Sequence, residues 1–292
     1  MKYLVTGATG QLGYDIVQEL ERRGLTYIAP TREDMPLEDD KRIEAYLTTV
    51  APDVVIHCAA YTAVDKAEDE ADIAWRINAE ATAVIARVCR RIGALLVYIS
   101  TDYVFPGDGE EFYGVNAPKG PKNVYGATKL AGEIAVHSSL ERYFIVRISW
   151  VFGTNGNNFI KTMLRLAEKN EQVKVVADQI GSPTYTADAA PRIIDLASTD
   201  YYGTYHLTNE GTCSWAELAM EVFRLSKLPT LVVPISTAEY PTRAKRPLNS
   251  RMDKKNLMSA GIRRMPAWQD ALRRYLIALE AQQNQEPDSA GA

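Results

Sequence analysis

Lys2-Tyr3-Leu4-Val5-Thr6-Gly7-Ala8-Thr9-Gly10-Gln11-Leu12-Gly13 opens the chain with a short apolar run, a glycine-rich turn and the first turn of a helical pattern. Leu12, Ile16, Val17 and Leu20 then recur at helical spacing, and Gly24 closes the helix. Outward from this unit the alternation continues. Residues 26–29, 53–59, 94–100 and 143–149 predict strands, and 39–50, 71–91 and 124–138 predict helices between them. The runs VVIHCA, LLVYIS and FIVRIS are apolar throughout, as strands covered by helices on both faces must be. The expected fold is therefore α/β, a Rossmann-like doubly wound parallel sheet. Beyond Trp150 the regularity weakens and Pro229, Pro234, Pro241, Pro247 and Pro266 punctuate the chain, which predicts a smaller C-terminal substrate lobe with long ordered loops.

Composition narrows the partners. With 292 residues, 46% of them hydrophobic, the chain can bury a core without a metal or disulfide, so disorder as the main state is excluded. A net charge of −4 gives no broad basic field, which argues against nucleic acid or an anionic membrane as partner. Cys58, Cys89 and Cys213 are far apart with no CxxC spacing or Cys/His cluster, as expected of reduced thiols in a cytoplasmic protein, and no metal site is expected. No apolar run reaches membrane-spanning length. The expected division is 1–150 as a dinucleotide-binding core, with segments near 173–210 returning to it, 151–280 as the substrate-binding lobe, and 281–292 as a disordered polar tail.

Three groups of residues carry chemistry. In the turn Gly7, Thr9, Gly10, Gln11, Leu12 and Gly13, glycines let backbone approach a pyrophosphate while the helix N-terminus aims free N–H groups at the anion. At the end of the second strand, where NAD-binding folds often place an acid for the ribose 2′-hydroxyl, this chain has Thr31 and Arg32. That favours NADPH, with Asp34 keeping NADH in play. Tyr125 and Lys129 share one helix face four residues apart, so the ammonium is expected to lower the phenol's pKa and hold the nicotinamide ribose. They follow a strand ending in Ser100, Thr101 and Asp102 at the carboxyl edge, where open α/β sheets bind ligands. Thr101, Tyr125 and Lys129 form a proton-donating set for a carbonyl oxygen.

The segments TGATGQLG, HCAAYTAVDKAE, STDYVF, NVYGATKLAGE, ISWVFG and KRPLNSRM together resemble the dTDP-4-dehydrorhamnose reductase family of extended short-chain dehydrogenases/reductases, over residues 2–279. The resemblance implies NADPH-dependent reduction of the 4-keto group of dTDP-6-deoxy-L-lyxo-4-hexulose to dTDP-L-rhamnose. It makes Tyr125 the acid at the C4 oxygen, Lys129 its modulator and ribose anchor, and Thr101 a hydrogen-bond partner of the same oxygen. It places Asp102, Val104 and Trp150 at the sugar, Ala59, Ala60 and Tyr61 at the cofactor's adenosine and ribose side, and Asn78 beside a structural water. A metal held by glutamates at a dimer interface, found in some members, has no counterpart legible here, and monomer and homodimer stay open.

The basic segment Arg243, Lys245 and Arg246, held between Pro241 and Pro247, is expected to reach the substrate diphosphate or close over the cleft, Arg246 gripping phosphate oxygens with its planar fork. His57, inside an apolar strand, reads as a satisfied core residue. Two other readings share the fold: a sugar-nucleotide epimerase or dehydratase that recycles its nicotinamide, and a non-catalytic regulatory subunit resembling the methionine adenosyltransferase beta subunit. Asp102 and the Ser149-Trp150 pair favour the reductase over the latter.

Overall fold

In the computed structural model, which describes residues 1–285, the glycine turn joins the strand β1 (Lys2–Thr6) to the helix α1 (Gln11–Arg22). The strand β2 (Thr26–Ile28), the helix α2 (Asp40–Val50) and the strands β3 (Val54–His57), β4 (Leu95–Thr101) and β5 (Tyr143–Ile148) follow. A further strand, Gly203–His206, completes a six-stranded sheet in which β5, β4, β3, β1 and β2 succeed one another from it and every pairing is parallel.

The continuous apolar runs have a direct cause. Successive side chains of a strand face opposite ways, and here both faces are covered. Tyr3, Val5, Val54, Ile56, Val97 and Val146 pack with Ile16 and Leu20 of α1 and Ile193 of the helix Thr186–Ala197. Leu4, Val55, Leu96, Tyr98 and Ile145 pack the other way, with Ile43 and Leu47 of α2 and Val84 and Val88 of the helix Ala81–Ile92. Each fully buried aliphatic side chain contributes about 1.5–3 kcal/mol, so a strand polar on either face would cost several such terms.

Three sequence expectations change. The single helix over 71–91 is an α segment, Ala71–Trp75, a π-helical turn, Arg76–Glu80, and a second α segment, Ala81–Ile92. Asn78 in the wide turn sends its amide out of the helix, accepting from Tyr61 N (2.8 Å) and donating to Tyr61 O (3.1 Å) and Thr128 Oγ1 (3.0 Å). Of the segment 173–210, the helix Thr186–Ala197 packs on the main sheet and Gly203–His206 joins it, as expected, while Gln172–Val176 pairs with Leu231–Ile235 as a separate parallel ribbon. The last helix, Trp268–Gln285, continues through 281–285, which were expected as tail. Its alanines and glutamines are good helix formers on an element already docked by Leu272, Tyr275 and Leu279. The rest of that tail, 286–292, lies outside the described residues.

Beyond Trp150 a second apolar cluster forms around Phe152, Ile160, Met163, Val175, Leu218, Val222 and Trp268. Gln11 ties this lobe to the glycine turn: its side-chain oxygen accepts from Gly153 N (2.9 Å) and Asn158 Nδ2 (3.2 Å). No helix among the described residues is long and apolar enough to cross a membrane.

Candidate active site

Strand order reverses between β1 and β3, so the carboxyl ends of those strands splay into a crevice. Gly7, with φ of 68°, turns the chain there, and a Cβ on it would lie 2.8 Å from Ala59 Cα. A Cβ on Gly13 would lie 2.2 Å from Gly7 O, so α1 approaches the turn as closely as it does only because position 13 is glycine. Gly10 caps α1 without any side-chain bond to the helix, leaving backbone N–H groups of the first turn facing the crevice. Leu12 is buried in the core and Gln11's side chain is committed to the lobe, so these two offer the crevice their backbone.

Two cavities share Gly7, Thr9, Ala59 and Ala60 and form one trough along the sheet edge. The first, of about 620 Å³, runs out to Ala29, Thr31, Arg32, Glu33 and Glu38 at the end of β2. The Thr31 amide and hydroxyl both donate to Asp34 Oδ2 (2.9 and 2.7 Å), which commits Asp34 to its own turn. Arg32, 80% exposed, pairs with Glu38 across the rim. The second cavity, of about 490 Å³, is lined by Ser100, Thr101, Asp102, Tyr103, Tyr125, Lys129 and Trp150 together with the glycine turn.

The helix Val124–Ser139, capped by Asn123 Oδ1 accepting from Gly126 N (2.8 Å), carries Tyr125 and Lys129 into this second cavity. Gly126 is required for the approach, since a Cβ there would lie 2.3 Å from Tyr103 O. The Lys129 ammonium is buried over the Tyr98 ring, 4.1 Å from its centroid, and burial pulls its pKa down to about 7. Burial pushes the Tyr125 phenol above its ordinary value, and Asp102 pushes the same way. The expected lowering by Lys129 is not found: the one influence that lowers the phenol is the Thr101 hydroxyl, and desolvation of the phenolate outweighs it. Thr101 Oγ1 donates to Asp102 Oδ1 (3.0 Å) and accepts from Tyr103 N (3.2 Å). Asp102 Oδ2 is buried with no partner among the described residues, and burial raises this carboxyl to about 6. Ser100 faces away chemically, its hydroxyl donating to Glu133 Oε1 (2.6 Å), which also receives Arg147.

Two candidates fall outside. Val104 is fully buried against Phe105 and Met252, because the short helical turn Asp102–Val104 rotates it away from the cavity that Asp102 lines. Tyr61 lines neither part of the trough, since Asn78 holds its backbone and its hydroxyl donates to Glu70. Asn78 itself joins its amide to Tyr61 and Thr128. His57 is a satisfied core residue: Thr6 Oγ1 lies 2.8 Å from Nδ1 and Thr82 Oγ1 3.2 Å from Nε2, and burial pulls it down to about 3.

A third cavity, of about 760 Å³, opens in the lobe between Trp150, Phe159, Met163, Gln179, Trp215 and Arg246. Sequence reasoning missed Trp215, Phe159 and Gln179, which carry no motif and meet only through the fold. Tyr103 and Trp150 line both this cavity and the one around Tyr125. The basic segment is strapped to the helix Val64–Ala67. Arg246 pairs with Asp65 and donates to Tyr103 Oη (3.1 Å), Ala244 N donates to Asp65 Oδ1 (3.0 Å), and Arg243 pairs with Asp69. Arg246 Nε remains buried without a partner among the described residues.

A doubly wound sheet with a glycine turn at its reversal point and a hydroxyl, a phenol and an ammonium on one wall of the adjoining cavity is the arrangement of the extended short-chain dehydrogenases/reductases. Residues 1–281 match the family described as RmlD substrate binding domain. The chain is 42% identical to the spore coat polysaccharide biosynthesis protein SpsK of Bacillus subtilis, over 94% of this chain and 96% of that one. It is 40% identical to dTDP-4-dehydrorhamnose reductase of Streptomyces griseus, over 95% and 94%. Among solved structures, dTDP-4-dehydrorhamnose reductase of Bacillus anthracis in complex with NADP superposes with a TM-score of 0.92 at 42% identity, covering 95% of this chain and 99% of that one. The chain belongs to the dTDP-4-dehydrorhamnose reductase family.

Proposed function

We propose that the chain reduces the 4-keto group of dTDP-6-deoxy-L-lyxo-4-hexulose to give dTDP-L-rhamnose, with NADPH preferred and NADH accepted. The observation that carries this reading is the meeting of Thr101, Tyr125 and Lys129 on the wall of a trough whose other wall is the glycine turn. The trough fits a dinucleotide: a Cβ at Gly7 or Gly13 would strike backbone, the α1 N-terminus has no side-chain cap, and the buried Lys129 ammonium faces the same space.

Gly7, Thr9, Gly10, Gln11, Leu12 and Gly13 would hold the pyrophosphate through backbone, Thr31 and Arg32 the 2′-phosphate side, Ala59 and Ala60 the adenosine and ribose side, and Lys129 the nicotinamide ribose. When bound, the reduced cofactor supplies a hydride to a carbonyl carbon. Tyr125, held protonated by burial, is in the state a proton donor needs and gives its proton to the C4 oxygen as charge develops there. Lys129 then faces the tyrosinate as its counter-charge. Thr101 donates to Asp102 Oδ1 in the free protein, so its hydroxyl would turn from that oxygen to donate to the C4 oxygen, and the unpartnered Asp102 Oδ2 would accept from a sugar hydroxyl. Trp150 lines the cavity where the sugar would lie, and Arg246, lining the lobe cavity, offers its guanidinium to the diphosphate.

The proposal extends to the division of labour, with the sheet holding the cofactor and the lobe the nucleotide, and to action in the cytoplasm, as three free cysteines suit. Mixing the protein with NADPH and the dTDP-4-keto sugar should consume one NADPH per rhamnose formed, followed by the loss of reduced-cofactor absorbance. Conversion without net NADPH loss would instead mark an epimerase or dehydratase, and binding without turnover a regulatory subunit.

A further inference from the structure

Trp150 is held in a conformation that non-glycine residues avoid. Its φ of 49° lies in the left-handed region, and such a conformation persists only where surroundings over-determine it. Two neighbours do so. A Cβ on Gly181 would lie 2.8 Å from Trp150 Cε2, so the indole rests against bare backbone there. Trp215 stacks on it with ring centroids 3.7 Å apart and planes 11° from parallel.

Trp215 is itself anchored. It is the first residue of the helix Trp215–Leu225, whose start is fixed by Ser214 N donating to Glu217 Oε2 (2.6 Å) and Glu217 N donating to Ser214 Oγ (3.1 Å). Its indole Nε1 donates to Gln179 Oε1 (3.2 Å), and Phe159 lies against it at 4.6 Å. Gln179 Nε2 in turn donates to Thr237 Oγ1 (3.1 Å), which ties this group to the strand Leu231–Ile235 and the loop that carries Arg246. Trp215 lines the lobe cavity and is absent from the lining around Tyr125, whereas Trp150 lines both.

We infer that Trp215 is a positioning residue that sets the plane of Trp150, so that a nucleoside diphosphate in the lobe cavity and the sugar wall at Tyr125 are coupled through one aromatic stack. The inference rests on the proposed function for the identity of the ligand. A nucleobase offers the lobe cavity a flat π-face, and Trp215 is the indole it meets there. Because Trp150 has bare backbone on one side and Trp215 on the other, any change at Trp215 is transmitted to the sugar wall. Binding energy from the nucleotide, remote from the reacting carbon, is then spent on orientation and shows in kcat rather than only in KM.

The test compares Trp215→Phe, which keeps a flat ring, with Trp215→Leu, which keeps bulk without a plane. Trp215→Leu should lose ~10- to 100-fold in kcat at saturating dTDP-4-keto sugar, the scale of a misplaced positioning group, and Trp215→Phe should recover most of it. The near-ultraviolet circular dichroism of the stacked indoles should change on titration with dTDP alone, and that response should vanish in Trp150→Phe. Equal kcat in the Phe and Leu variants, with unchanged melting temperature, overturns the positioning role. A wild-type spectrum blind to saturating dTDP overturns the coupling. A spectrum that responds to dTDP in a protein that does not reduce the keto sugar upholds the coupling and removes the reductase reading instead.

Discussion

Tyr125 gives the sharpest expectation for a single residue. Tyr125→Phe removes one hydroxyl from a cavity wall and leaves the ring packed edge-on to Tyr103 at 5.5 Å, so the fold and cofactor binding should survive. Turnover should fall by ~10²- to 10⁴-fold, the usual contribution of a positioned general acid, and wild-type turnover would remove Tyr125 from the chemistry. Arg32 is a weaker determinant than its place in the sequence suggests. It is 80% exposed and already paired with Glu38, so a 2′-phosphate must compete with that carboxylate. Exposed pairs are worth so little that Arg32→Ala should shift preference toward NADH, and Glu38→Gln toward NADPH, by only about 1.5- to 5-fold. Dissociation constants of 2′,5′-ADP and 5′-AMP measured side by side check this, and a ratio unchanged in both variants would show that neither residue reads the 2′ position. The sequence revealed Arg32 and Tyr125 because each sits at a fixed place in a local pattern. Glu38 stayed hidden because only the loop between β2 and α2 brings it to the rim.

At the scale of elements, the strands were legible because burial on both faces left a one-dimensional trace, the unbroken apolar runs. The π turn at Arg76–Glu80 was not, since its cause is the reach of Asn78 to Tyr61 and to Thr128, 50 residues away. The same holds for the basic strap, whose Arg246 meets Asp65 across 181 residues of chain. The turn between β1 and α1 was legible in composition, and the structure explains which glycine matters. Gly24 has open space where a Cβ would go, whereas Gly13 has the Gly7 carbonyl at 2.2 Å. Gly13→Ala must therefore push α1 from the turn, at about 1–3 kcal/mol for forced overpacking, and spoil the backbone nest for phosphate. Thermal unfolding with and without NADPH should show a lowered melting temperature and a reduced cofactor-induced rise. A wild-type rise in Gly13→Ala would mean that the turn does not hold the phosphates.

For the whole molecule, acid sensitivity follows from where three titratable groups are buried. His57 ends β3 beside Thr6 at the end of β1, and His206 lies on the edge strand with its Nδ1 2.9 Å from Asp253 O. Burial pulls both down to about 3, with Lys129 adding to the effect at His57 and Arg147 at His206. In the unfolded chain a histidine titrates near 6.5. Above that pH neither state binds these protons and the histidines contribute nothing to the pH dependence. Below it the unfolded chain takes up protons that the folded chain refuses, so stability falls. Asp102 acts in the opposite sense, because burial raises it to about 6 and the folded chain then binds a proton that the unfolded chain releases until near 3.8. Two protons on the unfolded side against one on the folded side leave a net loss of about one proton between pH 6 and 5, or about 1.4 kcal/mol per pH unit. Urea unfolding at pH 7, 6 and 5 should show this decline, and Asp102→Asn should make it roughly twice as steep by removing the opposing proton. Stability that is flat or rises as pH falls through this window, in the wild type and in Asp102→Asn alike, would mean that the two histidines are accessible to protons in the folded state and that the sheet edge opens where the structure shows it closed.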